Sequence, residues 1–453
     1  MPASVNPATG ETLADHPDLS DDELDDALER ASQAAARQRE TLLDARVAAV
    51  HALADRLDAD AERLAQVATA EMGKPIVQAR AEVHKCAVAA RALAAMAPDA
   101  FADSPRPAAA PSAFVAYEPL GTVLAIMPWN FPFWQAVRAA VPVILAGGTV
   151  LLKHAPNVRG CGDALADAFA EARLGDGVFE HLAIADPRVA AVIADDRVAA
   201  VTLTGSERAG RAVAAQAAAA LKPVVLELGG SDPFVVLADA DMDAAVQAGV
   251  TARMQNTGQS CIAAKRFIVE APIAAAFTEA FVARVAALRV GDPLDEAMDV
   301  GPMARADLRE GLLDQTRRAV AQGARLATGG TALDGPGFFV APGVLVEVAE
   351  GMVPYTEELF GPVASITVAR DEADAVRLAN ATRFGLGASV WTQDAARAER
   401  VARAVRAGVV AVNALVASQA ELPFGGVGIS GMGRELGVEG LRQFVNVKAV
   451  WRA

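Results

Sequence analysis

The sequence predicts an α/β protein of more than one domain, on three observations. Its 453 residues exceed what one ordinary hydrophobic core holds, and they suggest two or three domains. Hydrophobic residues make up 53% of the chain, so a large buried core is available. From Gly121 onward, short apolar runs without polar alternation recur between helical or loop segments. Such runs are typical of parallel strands that helices cover on both faces.

The N-terminal region is predicted to be helical, and the high alanine content favours this. Ser20 and Glu23 form a capping-box pattern that marks the start of a first helix. A second helical pattern covers residues 41–70. Pro105, Pro107 and Pro111 then break the pattern, which indicates a linker or an excursion from the core.

The strands are predicted from apolar runs, which group into two consecutive α/β units. The pattern that begins at Gly121 recurs between residue 266 and about residue 412, without a repeat of fixed period. The runs of the first unit and the start of the second lie at residues 122–127, 149–152, 199–203, 224–226 and 234–237.

Charge and composition exclude several classes of partner. With 41 basic and 56 acidic residues the net charge is −15, which disfavours nucleic acid. Residues 1–7 lack the features of a secretory signal, and the apolar stretch at 139–148 is shorter than a membrane span and contains Pro142. We therefore expect neither a nucleic-acid nor a membrane partner.

Three cysteines and five histidines, all widely spaced, indicate a reduced, cytoplasmic protein without a metal site. Cys261 has a distinctive context, because it follows Asn256-Thr257-Gly258-Gln259-Ser260 and precedes small residues and a strand predicted at 266–270. This pattern favours a tight, accessible loop, where a thiolate is a good nucleophile. Taken alone, however, a single cysteine is typically a small buried side chain.

Two further side chains follow predicted strands. Glu227 ends the apolar run before Leu228-Gly229-Gly230, at the strand edge where open α/β sheets place their active sites, and it is a candidate general base. A capping or ion-paired glutamate is the alternative. Asn130 lies between Pro128 and Pro132, and its fixed amide could donate to an oxyanion. The alternative for Asn130 is a purely structural turn.

Glycine-rich turns supply weaker signals. Gly205-Ser206 and Gly210 lie between a strand and a helical segment, where backbone N–H groups can hold a phosphate. The spacing differs from the dinucleotide fingerprint, so the pattern alone is unspecific. Lys153 follows the run at 149–152, a position at which lysine is commonly a solvated strand end.

In combination these segments resemble the aldehyde dehydrogenase superfamily from about Asn6 to the C-terminus, and most of all its shorter succinate-semialdehyde dehydrogenases. The run Leu152-Lys153-His154-Ala155-Pro156-Asn157-Val158 carries the second resemblance. The motifs that carry the first are Pro128-Trp129-Asn130-Phe131-Pro132, Lys153, Gly205-Ser206 with Gly210, Glu227-Leu228-Gly229-Gly230, Gly258-Gln259-Ser260-Cys261, Glu358-Leu359-Phe360-Gly361-Pro362 and Pro423-Phe424-Gly425-Gly426.

The resemblance implies oxidation of an aldehyde to an acid with NAD(P)+, and succinate semialdehyde as the substrate. Cys261 would attack the aldehyde, and Asn130 with the Cys261 backbone N–H would hold the oxyanion. After hydride transfer, Glu227 would activate the water that hydrolyses the thioester. Lys153 and Glu358 would bind the two riboses, Ser206 a phosphate, and Phe360 the nicotinamide side. The implied cofactor residues are Met127, Pro128, Trp129, Lys153, Gly205, Ser206, Leu228, Gly229, Glu358 and Phe360.

The expected cofactor is NADP or NAD, with NADP acceptance favoured. Relatives that prefer NAD often carry a glutamate three residues after the lysine, where this chain has Pro156. No carboxylate at that position then repels a 2′-phosphate. His154 could add a weak positive partner at lower pH, or could be a solvated histidine.

For the substrate, the resemblance implies that Arg138 binds a carboxylate through its guanidinium fork, with Trp134 and Ser418 completing the pocket. A helix-surface arginine is the alternative. A second arginine of some relatives, six residues before the cysteine, is replaced by Gln255.

The implied fold is an aldehyde dehydrogenase-like α/β fold with three parts. A Rossmann-like cofactor domain comprises residues 1–103 and 120–228, and an α/β catalytic domain comprises residues 229–425. Residues 104–119 and 440–453 form a small β arm that pairs across subunits in a homodimer or homotetramer.

Three alternatives remain open from the sequence. The protein could be a broad-specificity or other short-chain aldehyde dehydrogenase. It could also be a noncatalytic structural relative, which would be expected to lack Cys261, Glu227 or Asn130. A cofactor-free thiol esterase is the third, and Lys153, Ser206 and Glu358 disfavour it.

Overall fold

A computed structural model describes residues 3–108 and 112–452, so Pro111 of the predicted excursion lies outside the described residues. The strands are β1 (Ala3–Val5), β2 (Thr12–Asp15), β3 (Ser104–Pro105), β4 (Ser112–Pro119), β5 (Thr122–Met127), β6 (Thr149–His154), β7 (Phe179–His181), β8 (Val198–Thr204), β9 (Val224–Glu227), β10 (Asp232–Val236), β11 (Ala264–Glu270), β12 (Arg325–Thr328), β13 (Gly343–Val346), β14 (Val363–Ala369), β15 (Gly387–Trp391), β16 (Val409–Val412), β17 (Gly431–Met432) and β18 (Val445–Arg452).

The α-helices cover the sheets and join their strands. They are α1 (Asp21–Glu40), α2 (Leu43–Ala59), α3 (Ala61–Met72), α4 (Ile76–Phe101), α5 (Trp134–Ala146), α6 (Arg159–Glu171), α7 (Val189–Ala194), α8 (Glu207–Ala219), α9 (Met242–Met254), α10 (Ala271–Ala286), α11 (Ala306–Ala321), α12 (Val353–Thr356), α13 (Glu372–Ala379), α14 (Ala395–Ala404) and α15 (Gly437–Leu441). Among the helices that the structure describes, none combines the length and the apolar character that a membrane span requires.

Two mixed but mainly parallel sheets form the body of the protein, and the predicted α/β class is confirmed. The first sheet has six strands in the order β17-β9-β8-β5-β6-β7, of which only β17 is antiparallel. The second has seven strands in the order β12-β13-β14-β11-β10-β15-β16, of which only β12 is antiparallel. The central strands of both sheets are buried on both faces, which is why their sequences show continuous apolar runs.

A third sheet of three strands, in the order β18-β4-β3, is built from the two segments expected to form the arm. Within one chain, β4 and β18 pair antiparallel from Val445 opposite Pro119 to Arg452 opposite Ser112. In the sequence, the short strand β17 lies between the predicted catalytic domain (residues 229–425) and the second predicted arm segment (residues 440–453). It pairs with β9 beside Glu227 and so belongs to the six-stranded sheet.

Two local predictions were wrong in detail. The helical pattern at 41–70 is two helices, because the chain breaks at Asp60, whose carboxylate binds the guanidinium groups of Arg56 and Arg63. The strand that carries Lys153 continues to His154, so Lys153 is a buried strand residue and not a solvated strand end.

Candidate active site

The loops after three neighbouring parallel strands meet at one edge of the six-stranded sheet. Strands β5, β8 and β9 end at Met127, Thr204 and Glu227, and Thr204 pairs with Glu227 in register. The turns that follow therefore lie side by side, as the carboxyl ends of parallel strands require. Ser206 in the second turn caps α8 by accepting a hydrogen bond from the Ala209 N–H, at 3.3 Å.

Two cavities meet at Cys261. A cavity of about 240 Å³ lies over these turns, and a second of about 230 Å³ lies on the other side of the cysteine, with Cys261 and Gln135 lining both. The first collects Pro128, Trp129, Asn130, Gly205, Ser206, Glu227, Leu228, Gly229, Glu358 and Phe360. The second collects Trp134, Arg138 and Ser418. Of the predicted site residues, only Met127 and Lys153 line neither cavity.

The loop that carries Cys261 has an unusual backbone held by a buried arginine. Asn256, Thr257 and Gly258 adopt positive φ angles of 55°, 56° and 68° in succession. For a β-branched residue such as Thr257 this conformation is strained, and it persists only when the surroundings fix it. The Arg253 guanidinium supplies that support, since it donates to the carbonyl of Gly258 at 3.0 Å and to that of Leu359 at 3.1 Å.

At Gly258 only glycine fits. A Cβ there would lie 2.4 Å from the Gly361 carbonyl oxygen, and φ is positive as well. The loop before Cys261 thus packs directly on the turn after Glu358, which leads into the neighbouring strand β14.

Lys265 is a buried cation beneath the cysteine. Its ammonium donates to the backbone carbonyls of Ser260, at 2.9 Å, and Cys261, at 2.5 Å, and it pairs with Glu358 Oε1 at 3.0 Å. Burial raises the pKa of the Cys261 thiol to about 12, and Lys265 is the foremost of the charges that oppose this rise. The lysine therefore both anchors the loop and favours the thiolate.

Replacing Lys265 by methionine is expected to raise the pKa of Cys261 further, because a nearby cation is lost while burial stays. Alkylation of Cys261 by iodoacetamide at pH 8 should slow about tenfold, the effect of one pKa unit on the thiolate fraction. The rate is measured against pH, with Cys261 located by peptide mapping. A lower melting temperature with an unshifted pH profile would contradict the electrostatic part of the role.

Asn130 is buried against the same loop. Its Nδ2 donates to the Gln259 carbonyl at 3.0 Å, and its own carbonyl accepts from Asn256 Nδ2 at 2.7 Å. These bonds fix the amide beside Cys261 on the wall of the first cavity. An amide held in this way does not need to reorganise when charge develops nearby.

The side-chain carboxyl of Glu227 is buried. Within residues 3–108 and 112–452, neither of its side-chain oxygens finds a hydrogen-bond donor. Burial, and then the nearby carboxyl of Glu435, raise its pKa well above the ordinary value, while Arg138 and Arg434 act in the opposite direction. The protonated form of this carboxyl is therefore favoured relative to an ordinary glutamate, and its basic form increases as pH rises.

Arg138 is not on a helix surface. It is 3% exposed, and its Nε lies 2.5 Å from Glu435 Oε2. The guanidinium also lies over the Phe424 ring, 4.9 Å from the centroid. Arg138 faces the second cavity as expected, but it already pairs with an internal carboxylate. Its role in substrate binding stays a prediction.

Lys153 and His154 end strand β6 with different environments. The Lys153 ammonium pairs with the exposed carboxylate of Asp186. His154 is buried, accepts from the Ala155 N–H through Nδ1 at 3.1 Å and donates to the Pro132 carbonyl through Nε2 at 2.8 Å. Burial lowers the pKa of His154 to about 4, so it is neutral. The proposal of His154 as a solvated histidine or a positive partner was wrong.

Four residues of the site were missed by sequence reasoning: Lys85, Asp186, Lys265 and Glu435. Each lies in an ordinary local pattern, such as a helix or a strand, and acquires its place only through tertiary contact. Lys85 is the extreme case, since the partner of its ammonium, Ser418, lies 333 residues away. Lys265 offered the one usable signal, a lysine four residues after the cysteine near the start of a predicted strand.

Fold and site define an α/β enzyme whose central group is a cysteine thiol at the junction of two cavities. Residues 2–450 match the model of the aldehyde dehydrogenase family. The chain is 50% identical to succinate-semialdehyde dehydrogenase [NADP(+)] 1 of Mycobacterium tuberculosis, over 100% of this chain and 99% of the relative. It is also 50% identical to the succinate semialdehyde dehydrogenase [NAD(P)+] Sad of Escherichia coli, over 99% and 97% of the two chains.

A solved structure agrees with these similarities. The succinic semialdehyde dehydrogenase of Streptococcus pyogenes, in complex with NADP+ as the cofactor, superposes with a TM-score of 0.98 at 34% identity, over all of both chains. The chain belongs to the aldehyde dehydrogenase family. The predicted family and fold are thereby confirmed, and the alternative of another enzyme class is set aside.

Proposed function

We propose that the protein oxidises succinate semialdehyde to succinate with NADP+ or NAD+, consuming one water and releasing NAD(P)H and a proton. The observation that carries this proposal is the junction of two cavities at Cys261, one with the residues expected for a dinucleotide and the other lined by cationic side chains. The names of the full-length relatives at 50% identity support the substrate and the cofactor.

Residues of the first cavity fit a dinucleotide. The free N–H groups at the start of α8, behind Ser206, suit a phosphate. Glu358 reaches over Gly229 so closely that a Cβ there would lie 2.1 Å from Oε2, and it presents a carboxylate to ribose hydroxyls. The walls would be formed by Pro128, Trp129, Gly205, Leu228 and Phe360. Met127 and Lys153 do not line this cavity but lie near the ends of the neighbouring strands β5 and β6, where Lys153 would hold the adenosine ribose. When bound, NAD(P)+ supplies the hydride acceptor.

Residues of the chain carry out the remaining chemical steps. Cys261 Sγ bonds to the aldehyde carbon, and the resulting oxyanion accepts hydrogen bonds from Asn130 Nδ2 and the Cys261 N–H. Loss of the hydride leaves a thioester on Cys261. Deprotonated Glu227 takes a proton from water, whose oxygen attacks the thioester carbon, and the thiolate leaves with the acid released.

The carboxylate of Asp186 should limit the use of NADP. It lies beside the Lys153 ammonium, where the proposed site holds the adenosine ribose. A carboxylate next to a 2′-phosphate costs about 1 kcal/mol in a solvated setting, or roughly five- to tenfold in affinity. Asp186→Ala is therefore expected to raise the ratio of kcat/KM for NADP to that for NAD by this factor. Steady-state assays with both cofactors measure it, and an unchanged or lower ratio would place Asp186 away from the phosphate.

The substrate proposal is tested by a panel of small aldehydes with both cofactors. We expect kcat/KM for succinate semialdehyde to exceed that for butanal, an aldehyde of equal chain length without a carboxylate, by at least about tenfold. Equal values would favour the broad-specificity alternative. A lack of cofactor reduction with every aldehyde would contradict the oxidation itself.

We also propose a cytoplasmic homodimer or homotetramer in which the β3-β4-β18 sheet pairs between subunits. All three cysteines are free thiols, as expected for a reducing compartment. The side chains of Val447 and Trp451 on strand β18 are exposed, with 62% and 69% of their surface accessible. Strand β18 forms a long antiparallel pair with β4. Exposed apolar side chains of this kind are typical of a subunit contact.

A further inference from the structure

The second cavity contains a lysine that no part of the predicted site includes. Lys85 lies on α4 and lines this cavity together with Trp134, Arg138, Ser418 and Cys261. Its ammonium donates to Ser418 Oγ at 2.7 Å and lies 4.3 Å from the centre of the Trp134 ring. Hydroxyl and ring hold the charge in place, but neither neutralises it.

Among the described residues, Lys85 forms no ion pair, although it is largely buried. The nearest carboxylate on its own helix, Glu82, is engaged elsewhere: it pairs with Lys74 and accepts the backbone N–H groups of Phe133 and Trp134, both at 2.9 Å. The other charged or titratable groups that face the ammonium are Arg138, Cys86 and Cys261.

A largely buried ammonium without a carboxylate partner is costly, because burial disfavours the charged form. Burial, and then Arg138, lower the pKa of Lys85 to about 8. An anion that enters the cavity would remove this penalty, because it supplies the missing charge partner. Arg138 offers less, since Glu435 already pairs with it inside the protein.

We propose that Lys85, with Ser418, binds the distal carboxylate of the aldehyde substrate and thereby sets specificity. The proposal rests on the proposed oxidation of a carboxylate-bearing aldehyde and names the group that recognises it. Cys261 and Lys85 line one cavity of about 230 Å³. One small molecule bound in this cavity can therefore place its aldehyde at the thiol and its carboxylate at the ammonium. The Ser418 hydroxyl, which accepts from Lys85, can donate its own proton to the same carboxylate. Gln255 also lines this cavity but is uncharged, so the charge of the carboxylate is recognised by Lys85.

The test compares Lys85→Met with the wild-type enzyme on succinate semialdehyde and on butanal. We expect kcat/KM for succinate semialdehyde to fall about ten- to a hundredfold, as for loss of a charged hydrogen bond, while kcat/KM for butanal stays within about twofold. Turnover of butanal reports that the variant is folded and that Cys261 is competent. Lys85→Arg should restore most of the preference. Lys448→Met, which removes the same charge from the exposed arm, should leave both values unchanged.

Inhibition by succinate against the aldehyde gives a second, independent measure. Its inhibition constant should rise about ten- to a hundredfold in Lys85→Met and by less in Ser418→Ala. If the wild-type enzyme shows no preference for succinate semialdehyde over butanal, the proposed substrate is rejected and the Lys85 role falls with it. If the wild-type preference is present and Lys85→Met keeps it, or loses both substrates equally, the Lys85 role alone is overturned.

Discussion

Replacing Cys261 by serine is expected to abolish aldehyde oxidation, with kcat/KM lowered by at least about four orders of magnitude. A serine hydroxyl needs an adjacent base to become a nucleophile, and no histidine lines either cavity in the part of the chain that the structure describes. Lys265 assists a thiolate, but a cation cannot deprotonate a hydroxyl. Steady-state formation of NAD(P)H with succinate semialdehyde measures the loss.

The control for this variant is Cys161→Ala, which removes a buried thiol from α6, away from both cavities. It should retain near wild-type kcat/KM, and the melting temperature of Cys261→Ser should be unchanged. Turnover by Cys261→Ser within tenfold of the wild type would mean that another group attacks the aldehyde.

Glu227→Gln is expected to separate the two halves of the reaction. The thioester should still form, giving one burst of NAD(P)H per active site, while steady-state turnover falls about 10²- to 10⁴-fold because water lacks its base. Glutamine matches the protonated carboxyl that burial already favours, so the fold should be retained. Rapid-mixing measurements of NAD(P)H formation give the burst and the steady rate.

The same substitution should change the pH profile. The raised pKa of Glu227 means that its basic form increases as pH rises, so the steady-state rate of the wild-type enzyme should climb over that range. Glu227→Gln should lose this climb, whereas Glu399→Gln, an exposed glutamate on α14, should keep it. An unaltered pH profile in Glu227→Gln would assign water activation to another carboxyl, such as that of the neighbouring Glu435.

The sequence predicted the α/β class and the family because both depend on local patterns. Uninterrupted apolar runs mark buried parallel strands, and the order of short motifs around Asn130, Glu227 and Cys261 marks the family. The break at Asp60 was missed, because a helical apolar period can continue across one residue whose backbone leaves the helical conformation. The burial of His154 was missed for a similar reason, since its two partners are backbone groups.

The charge balance of the site could not be predicted from the sequence. Arg138 was expected to meet the substrate, and the structure gives it Glu435 as a partner from a distant loop. No sequence pattern points to Lys85, because nothing in α4 distinguishes it from the other polar residues of the helix. Which cation is neutralised internally and which faces a cavity depends on contacts that only the folded chain creates.

The central claim, a thioester on Cys261 that Glu227 helps to hydrolyse, is tested most directly by intact-protein mass spectrometry of Glu227→Gln. The variant is mixed with NADP+ and the aldehyde that the wild-type enzyme oxidises best, and is quenched in acid after the burst. We predict a mass gain of one acyl group per chain, located by peptide mapping on Cys261 and absent when Cys261 is also serine. An unmodified protein after a full burst, or an acyl group on another residue, would contradict the account.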